Sequence, residues 1–141
     1  MTRLVAWAAG VLVVLAGARA EAGTLEVEVS GIRNAHGHVL AAVCSAETFL
    51  SAHCRPVGRA PAHEGTVMVR ISDVPPDTCA VQVFHDENDN LEIDRSFLGI
   101  PKEGMGFSND ATFHFGPPRF ADAAIAVSPR GGRITVKMRY F

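Results

Sequence analysis

Hydrophobic and polar residues alternate along several short stretches of the chain, as in a strand with one buried and one exposed face. In TLEVEVS (24–30), Leu25, Val27 and Val29 alternate with polar residues. TVMVRIS (66–72) alternates in the same way. HVLAAVC (38–44) is apolar at nearly every position, which is typical of a strand covered on both faces. These stretches predict β-strands.

Turn signals separate the stretches and mark further strands. Residues 34–37 (NAHG) supply a tight turn, and residues 75–77 (PPD) break the chain before a new strand begins. One helical turn is predicted near 45–51, where Ser45 can cap it. The pattern therefore predicts an all-β domain, an antiparallel β-sandwich of about seven strands. Its remaining strands are CAVQVFH (79–85), ATFHF (111–115), AAIAV (123–127) and RITVKMRY (133–140).

The first twenty residues have the pattern of a signal peptide. Arg3 precedes an apolar run over 4–18, and Ala18-Arg19-Ala20 is the small-x-small sequence that signal peptidase cleaves. The run is too short for a comfortable membrane span, and no second apolar run follows it. We expect residues 21–141 to form a single β-sandwich domain, periplasmic or secreted, that does not span the membrane.

The charge balance limits the partners. Removing residues 1–20 takes away Arg3 and Arg19 and no acid, so the net charge goes from −2 to −4. A mildly acidic chain without a cluster of basic residues is not expected to bind nucleic acid. An unknown protein or a small molecule is the expected partner.

Three cysteines remain after the predicted cleavage, and the exterior of the cell is oxidising. Cys44 and Cys54 are the expected disulfide, because only nine residues separate them and that segment is predicted to fold back on itself. Closing such a loop stabilises a fold by about 2–3 kcal/mol. Cys79 is left as a single thiol, which is either reactive or a small buried side chain on a strand.

Two segments resemble known families. ISDVPPDTCAVQVFHDENDNLEID looks like the L-P-P-G-x-Y-x-V strand turn of prealbumin-like and carboxypeptidase-regulatory-like sandwiches. More closely, FHDENDNLEIDRSFLGIPKEGMGFSNDA followed by FGPPRFADAAIAV is similar to bacterial domain-of-unknown-function family 2141. The resemblance implies an exported, immunoglobulin-like or prealbumin-like sandwich and no particular activity. Members usually have Gly-x-Tyr at 77–79 and Asn-Gly-Asn-Gly at 88–91, where this chain has DTC and NDNL.

The acidic stretch FHDENDNLEID (84–94) is the strongest candidate for an ion site. Its oxygen-bearing side chains fall at alternate positions, as in short calcium loops of the type D-x-[DN]-x-[DN]-G. Leu91 stands where such loops have glycine, and Phe97 stands where a helix-loop-helix site has a bidentate carboxylate. The alternatives are a weak Ca²⁺ site and an acidic turn that satisfies its own backbone. The candidate ligands are Asp86, Asn88, Asn90, Glu92 and Asp94.

The segment LGIPKEGMGFSNDA (98–111) reads as a long loop that contains both apolar and charged residues. Long structured loops in compact domains are either binding loops or self-packed loops. This loop therefore either lines a groove for a ligand or folds back over the open end of the sandwich. Its candidate binding residues are Lys102, Glu103, Met105, Phe107 and Asn109.

No catalytic motif is recognisable, so we predict that the protein is not an enzyme. The remaining hypotheses are an exported binding or interaction module, with calcium as a candidate structural ion, and a purely structural accessory domain of the cell envelope that attaches through an exposed sheet edge. A small hydrolase using Ser108, Asp110 and His114 is the weakest alternative, because three common residues in a loop and an adjoining strand carry little information.

Overall fold

The computed structural model of the protein describes residues 22–93 and 101–141. In this part of the chain there are eight strands, one 3-10 turn (Ser108–Asp110) and one short helix, α1 (Phe120–Ala123). None of these elements is a helix long and apolar enough to cross a membrane. The strands are β1 (Gly23–Ile32), β2 (His38–Cys44), β3 (Val57–Pro61), β4 (Gly65–Val74), β5 (Thr78–Asp86), β6 (Met105–Phe107), β7 (Ile125–Ala126) and β8 (Gly132–Lys137).

The strands form two facing sheets, which confirms the predicted all-β sandwich. The smaller sheet has the order β4-β1-β8, and the larger has the order β3-β2-β5-β6 with β7 also paired to β5. All pairs are antiparallel except one: β8 runs parallel to β1, with Val27 opposite Ile134. The antiparallel sandwich predicted from the sequence thus contains one parallel pair.

The alternation of side chains explains why both sheets form. Val27 and Val29 of β1 point inward and meet the inward-pointing side chains of β2 and β5 in one apolar core. A second apolar cluster, built on Met105 and Phe107, lies on the opposite face of the larger sheet. The larger sheet is therefore partly covered on both faces, as the continuous apolar sequence of β2 predicted.

Glycine allows two close approaches that shape the sandwich. A Cβ atom added to Gly58 of β3 would lie 2.3 Å from the carbonyl oxygen of Arg70, so β3 packs directly against β4. Gly37 has φ +65°, and a Cβ there would lie 1.9 Å from the carbonyl oxygen of Asp86. The turn before β2 and the end of β5 are therefore held together by backbone contact.

Three local features differ from the expectation. ATFHF (111–115) is not a strand, and Phe115 is exposed with a left-handed backbone at φ 57°. The segment 98–111, predicted to be a loop, contains the buried strand β6. Strand β3 was not predicted at all. The single helical turn predicted near 45–51 is present: the Ser45 carbonyl accepts the Phe49 N–H at 3.0 Å, and the Ser45 Oγ accepts the Thr48 N–H at 3.2 Å.

Candidate functional site

The acidic loop after β5 satisfies its own backbone. Asp86 is fully buried, and its carboxylate accepts the N–H groups of Asn90 at 3.2 Å and Leu91 at 2.8 Å. The Asn88 side-chain oxygen accepts the Asn90 N–H at 3.3 Å, and the Asn90 oxygen accepts the Glu92 N–H at 3.0 Å. Three of the predicted calcium ligands therefore act as acceptors in consecutive turns.

The other acids of this loop reach across to the β1–β2 turn. Glu87 forms an ion pair with Arg33 and accepts a hydrogen bond from the Asn34 amide at 3.1 Å. Burial alone would raise the pKa of Glu87, but the hydrogen bonds from Asn34 and Arg33 outweigh it and leave the pKa lowered. Asp89 lies 2.6 Å from the Nδ1 atom of His38. The loop is thus fastened to the sandwich by its acids.

The calcium hypothesis rests on five candidate ligands, four of which lie in the described residues. Asp94, the fifth candidate ligand, lies outside the described residues. Within the described ranges, no three His, Cys, Asp or Glu side chains converge as a metal site would require. Leu91 has the left-handed backbone (φ 62°) that the missing glycine would have adopted easily. Calcium binding at 86–94 stays a prediction.

The candidate binding residues of 98–111 are dispersed rather than grouped. Met105 and Phe107 are buried in β6, and Glu103 is buried just before it. Lys102 is exposed. The Asn109 side chain donates to the carbonyl oxygens of residues 122 and 124, which fastens the segment to α1. Of the five, only Met105 lines the groove described next.

A wide groove lies over the outer face of the larger sheet. Its volume is about 1280 Å³, which exceeds the roughly 300–1000 Å³ of most small-molecule sites. Leu40 and Ala42 of β2 and Phe84 of β5 form the floor, because they point away from the core between the two sheets. The described polar or charged lining residues are few: Ser51, Arg55, Arg59, Gln82 and Glu92.

The segment 45–54 forms one wall of the groove. The Cys44–Cys54 disulfide closes this segment, which confirms the predicted pairing. Gln82 of β5 holds the segment 45–54 in place by two hydrogen bonds. Its amide donates to the Ser51 carbonyl at 2.9 Å and accepts the Leu50 N–H at 3.1 Å. The Gln82 amide is therefore occupied by the protein itself, and the exposed Leu50 side chain projects at the rim.

The rest of the lining comes from the acidic loop and the chain end. Leu91 and Ile93 line the groove in the acidic loop, and Phe113 and Phe141 line it as well. The Phe113 and Phe141 rings pack edge to face at 5.2 Å. Leu91 and Phe141 are among the most exposed large apolar side chains in the described residues. The groove thus has an apolar floor and an apolar rim.

Sequence reasoning missed this groove because its walls come from separate segments. The sequence signal was strand β2. A strand predicted to be covered on both faces needs something over its outer face, and the described residues cover only part of that face. Strand β3 carries Val57 and Arg59 on the same outer face, but five residues ending in proline give a weak strand signal.

The three residues of the weakest catalytic hypothesis have separate partners. The buried Ser108 hydroxyl donates to the Ala123 carbonyl and accepts the Val81 N–H. Asp110 accepts the Lys137 N–H at 2.9 Å, and His114 bonds the Thr112 hydroxyl at 2.8 Å. The structure assigns each side chain to a different local contact.

Comparison with protein families gives one match. The model of a family described as "Uncharacterized protein conserved in bacteria (DUF2141)" matches residues 27–135, which is well over half of the chain. Comparison with curated proteins and with solved structures finds no match. The matched range runs from β1 into β8 and contains nearly every residue that lines the groove.

Proposed function

Because the chain belongs to the DUF2141 family of uncharacterized bacterial proteins, we propose its function from its groove: it is an exported, non-catalytic module that binds an apolar ligand over the larger sheet. The observation that carries the proposal is the groove itself, with an apolar floor, an apolar rim and few polar lining groups. Concave, mostly apolar sites with a few placed polar groups are the usual form of a ligand-binding site.

Two leucines at the rim support this assignment. Leu50 is 44% exposed and Leu91 is 64% exposed, and both have left-handed backbones, at φ 67° and 62°. A left-handed conformation costs a residue with a side chain about 1–2 kcal/mol. An exposed leucine in such a conformation contributes little to stability, so contact with a ligand gives these two side chains a role that folding does not.

Export is part of the same proposal. The support is the signal-peptide pattern of residues 1–20, which lie outside the described residues, together with the Cys44–Cys54 disulfide. Disulfides are rare in reducing compartments and common outside the cytoplasm. A ligand with little solubility in water would need a carrier or receptor in that aqueous space.

Binding of the neutral apolar dye Nile red tests the groove. The variant Ala42→Phe places a ring on the groove floor, and the matched control Ala35→Phe places the same ring in the exposed β1–β2 turn. We expect wild type and Ala35→Phe to bind the dye at one site, and Ala42→Phe to bind it about tenfold more weakly, as a steric cost near 1–2 kcal/mol implies. Equal affinity in all three folded proteins would contradict the proposal.

A second candidate is the structural accessory domain, and one observation favours it. Strand β4 has ten residues and is an edge of the smaller sheet; among the described residues it pairs only with β1. An exposed edge can accept a strand from another protein. Close packing of β3 at Gly58 covers part of this edge. A photo-crosslinking residue in place of Ser72 of β4 would capture a protein partner if this candidate is correct, and one at Ala42 would not.

A further inference from the structure

One arginine beside the groove floor indicates which class of ligand the groove binds. In the register of the larger sheet, Arg59 of β3 lies opposite Leu40, and Leu40 lies opposite Phe84. All three residues line the groove. A guanidinium therefore stands at the end of a row of two large apolar side chains.

The position of the Arg59 guanidinium is fixed by His38 and Asp89. Arg59 Nη2 lies 3.0 Å from His38 Nε2, and arginine can only donate, so this nitrogen of the imidazole is the acceptor. The proton of the neutral ring is then on Nδ1, which donates to the Asp89 carboxylate at 2.6 Å. A chain of two hydrogen bonds thus orients Arg59 and leaves its Nε and Nη1 donors for another group.

The two arginines of the groove, Arg55 and Arg59, differ from four other arginines in their ion pairing within the described residues. Arg33, Arg70, Arg119 and Arg133 each lie within salt-bridge distance of a carboxylate. Across residues 22–93 and 101–141, neither Arg59 nor Arg55 has such a partner. Arg55 instead donates to the carbonyl oxygens of Ala52 at 3.2 Å and Cys54 at 2.7 Å.

Glu92 is the one side-chain carboxylate among the described lining residues, and it follows Leu91 in the acidic loop. The side chains of the described lining residues therefore carry two positive charges and one negative charge, although the chain as a whole has a net charge of −2. A positive centre beside an apolar floor in an acidic protein is complementary to an anion that carries an apolar chain.

We propose that the groove binds a fatty-acid-like anion, with its carboxylate at Arg59 and its alkyl chain over Leu40 and Phe84. This inference rests on the proposed function, because it names the ligand class of the same groove. Arginine suits the role because its planar fork donates two parallel hydrogen bonds to one carboxylate. The alkyl chain gains by removal of apolar surface from water, which is roughly 0.8 kcal/mol per buried methylene.

Calorimetric titration with laurate and with dodecanol, both below their aggregation concentrations, tests the head group. The two probes share an alkyl chain and differ in the carboxylate. We expect laurate to bind wild type more tightly than dodecanol does. Arg59→Gln should weaken laurate binding by about tenfold or more, the value of a lost charge-assisted hydrogen bond, and leave dodecanol binding unchanged.

Two further variants complete the experiment. Arg130→Gln removes an exposed arginine from the β7–β8 turn, outside the groove lining, and should bind laurate as wild type does. Arg59→Lys keeps the charge but loses the planar fork, so its laurate affinity should lie between those of wild type and Arg59→Gln. The melting midpoint of each variant, measured without ligand, shows that the protein is folded.

The outcomes separate this inference from the proposed function. If laurate and dodecanol bind equally and Arg59→Gln changes neither, the groove is a binding site but the anionic ligand class is wrong. If neither probe binds and Nile red does not bind, the proposed function fails as well. A dimer in sedimentation that Ala42→Phe disrupts would identify a second copy of the chain as the occupant and overturn both.

Discussion

At the scale of single residues, Leu91 combines a strained backbone conformation with a position at the rim of the groove. It occupies the sixth position of the acidic loop. Its backbone is left-handed, with φ 62°, a conformation that a glycine would adopt without strain. Its N–H is bonded to the buried Asp86 carboxylate, which holds the backbone in this conformation. Its side chain is mostly exposed at the groove rim. Stability and ligand contact therefore make opposite demands on this position.

The variant Leu91→Gly should be more stable than wild type and bind Nile red less well. Relief of the left-handed strain raises the free energy of unfolding by about 1–2 kcal/mol. The greater freedom of glycine in the unfolded chain lowers it by about 0.5–1 kcal/mol. Urea denaturation should therefore show a free energy of unfolding about 1 kcal/mol higher.

The neighbouring exposed residue Glu92 supplies the control. Its backbone is not left-handed, so Glu92→Gly gains nothing from strain relief and should lower the free energy of unfolding. If Leu91→Gly is destabilised as much as Glu92→Gly, the left-handed backbone of residue 91 is not a source of strain.

At the scale of elements, the long strands with buried apolar residues could be predicted from the sequence, and the short strands could not. The stretches at 24–30, 38–44 and 79–85 all lie within observed strands, because inward-pointing valines gain by burial wherever a second sheet faces them. ATFHF (111–115) also alternates, but β6 and β7 already occupy the free edge of β5. Periodicity cannot show which strand pairs at the edge of a sheet, nor that two segments distant in sequence line a groove over β2.

The segment 45–54 should lose its shape when its disulfide is removed. We expect the Cys44→Ala, Cys54→Ala double variant to unfold with about 2–3 kcal/mol less free energy. We also expect it to bind Nile red more weakly, because Leu50, Ser51 and Ala52 line the groove from this segment. Urea denaturation and dye titration on the same samples measure the two effects.

Cys79 provides the contrast to this pair. It is buried, and burial raises the pKa of its thiol, with a smaller contribution from the charge of Asp77. Thiol titration of the native protein should therefore detect almost no reaction, and of the unfolded, unreduced protein one thiol. Cys79→Ala should leave dye binding unchanged. A weakened dye affinity in Cys79→Ala would show that the loss of any buried side chain weakens dye binding, so that the effect is not specific to the 45–54 segment.

The loop 86–94 carries the calcium prediction. If it binds Ca²⁺ through oxygen ligands with a dissociation constant of ~10⁻⁴–10⁻³ M, calcium at ten times that constant should raise the free energy of unfolding by about 1.4 kcal/mol. Asp86→Ala should abolish that gain. It should also lower stability without calcium by about 2–3 kcal/mol, because two N–H groups lose a buried carboxylate acceptor.

The control for calcium is Asp122→Ala, since Asp122 pairs with Arg119 far along the chain from the loop. The calcium-dependent gain should persist in this variant. Melting curves with calcium and with chelator measure the difference for each protein. Superimposable wild-type curves would leave 86–94 as an acidic turn that satisfies its own backbone.

At the scale of the whole molecule, two carboxylates connect parts of the chain that are distant in sequence. Glu26 of β1 lies within 2.7 Å of Arg133 on β8 and within 3.7 Å of Arg70 on β4, so it links all three strands of the smaller sheet. Glu87 pairs with Arg33, whose guanidinium lies 4.3 Å from the centre of the Tyr140 ring. The hydrogen bond from Arg133 lowers the pKa of Glu26, and that of Glu87 is lowered as well.

These lowered pKa values predict that the domain loses stability in acid. A carboxyl group whose pKa is lower in the folded protein than in the unfolded chain stabilises the fold fully above its ordinary pKa, which is 4.5 for both groups. That stabilisation is lost as the pH falls from this value through the folded-state pKa.

Glu87→Gln removes one such group but keeps hydrogen-bonding atoms beside Arg33, so the free energy of unfolding should fall less steeply below pH 4.5 than in wild type. Glu47→Gln, on the exposed turn at 45–51, should follow the wild-type pH dependence. Urea denaturation at a series of pH values measures all three proteins, and identical slopes for Glu87→Gln and wild type would show that the Arg33–Glu87 pair does not contribute to the acid sensitivity.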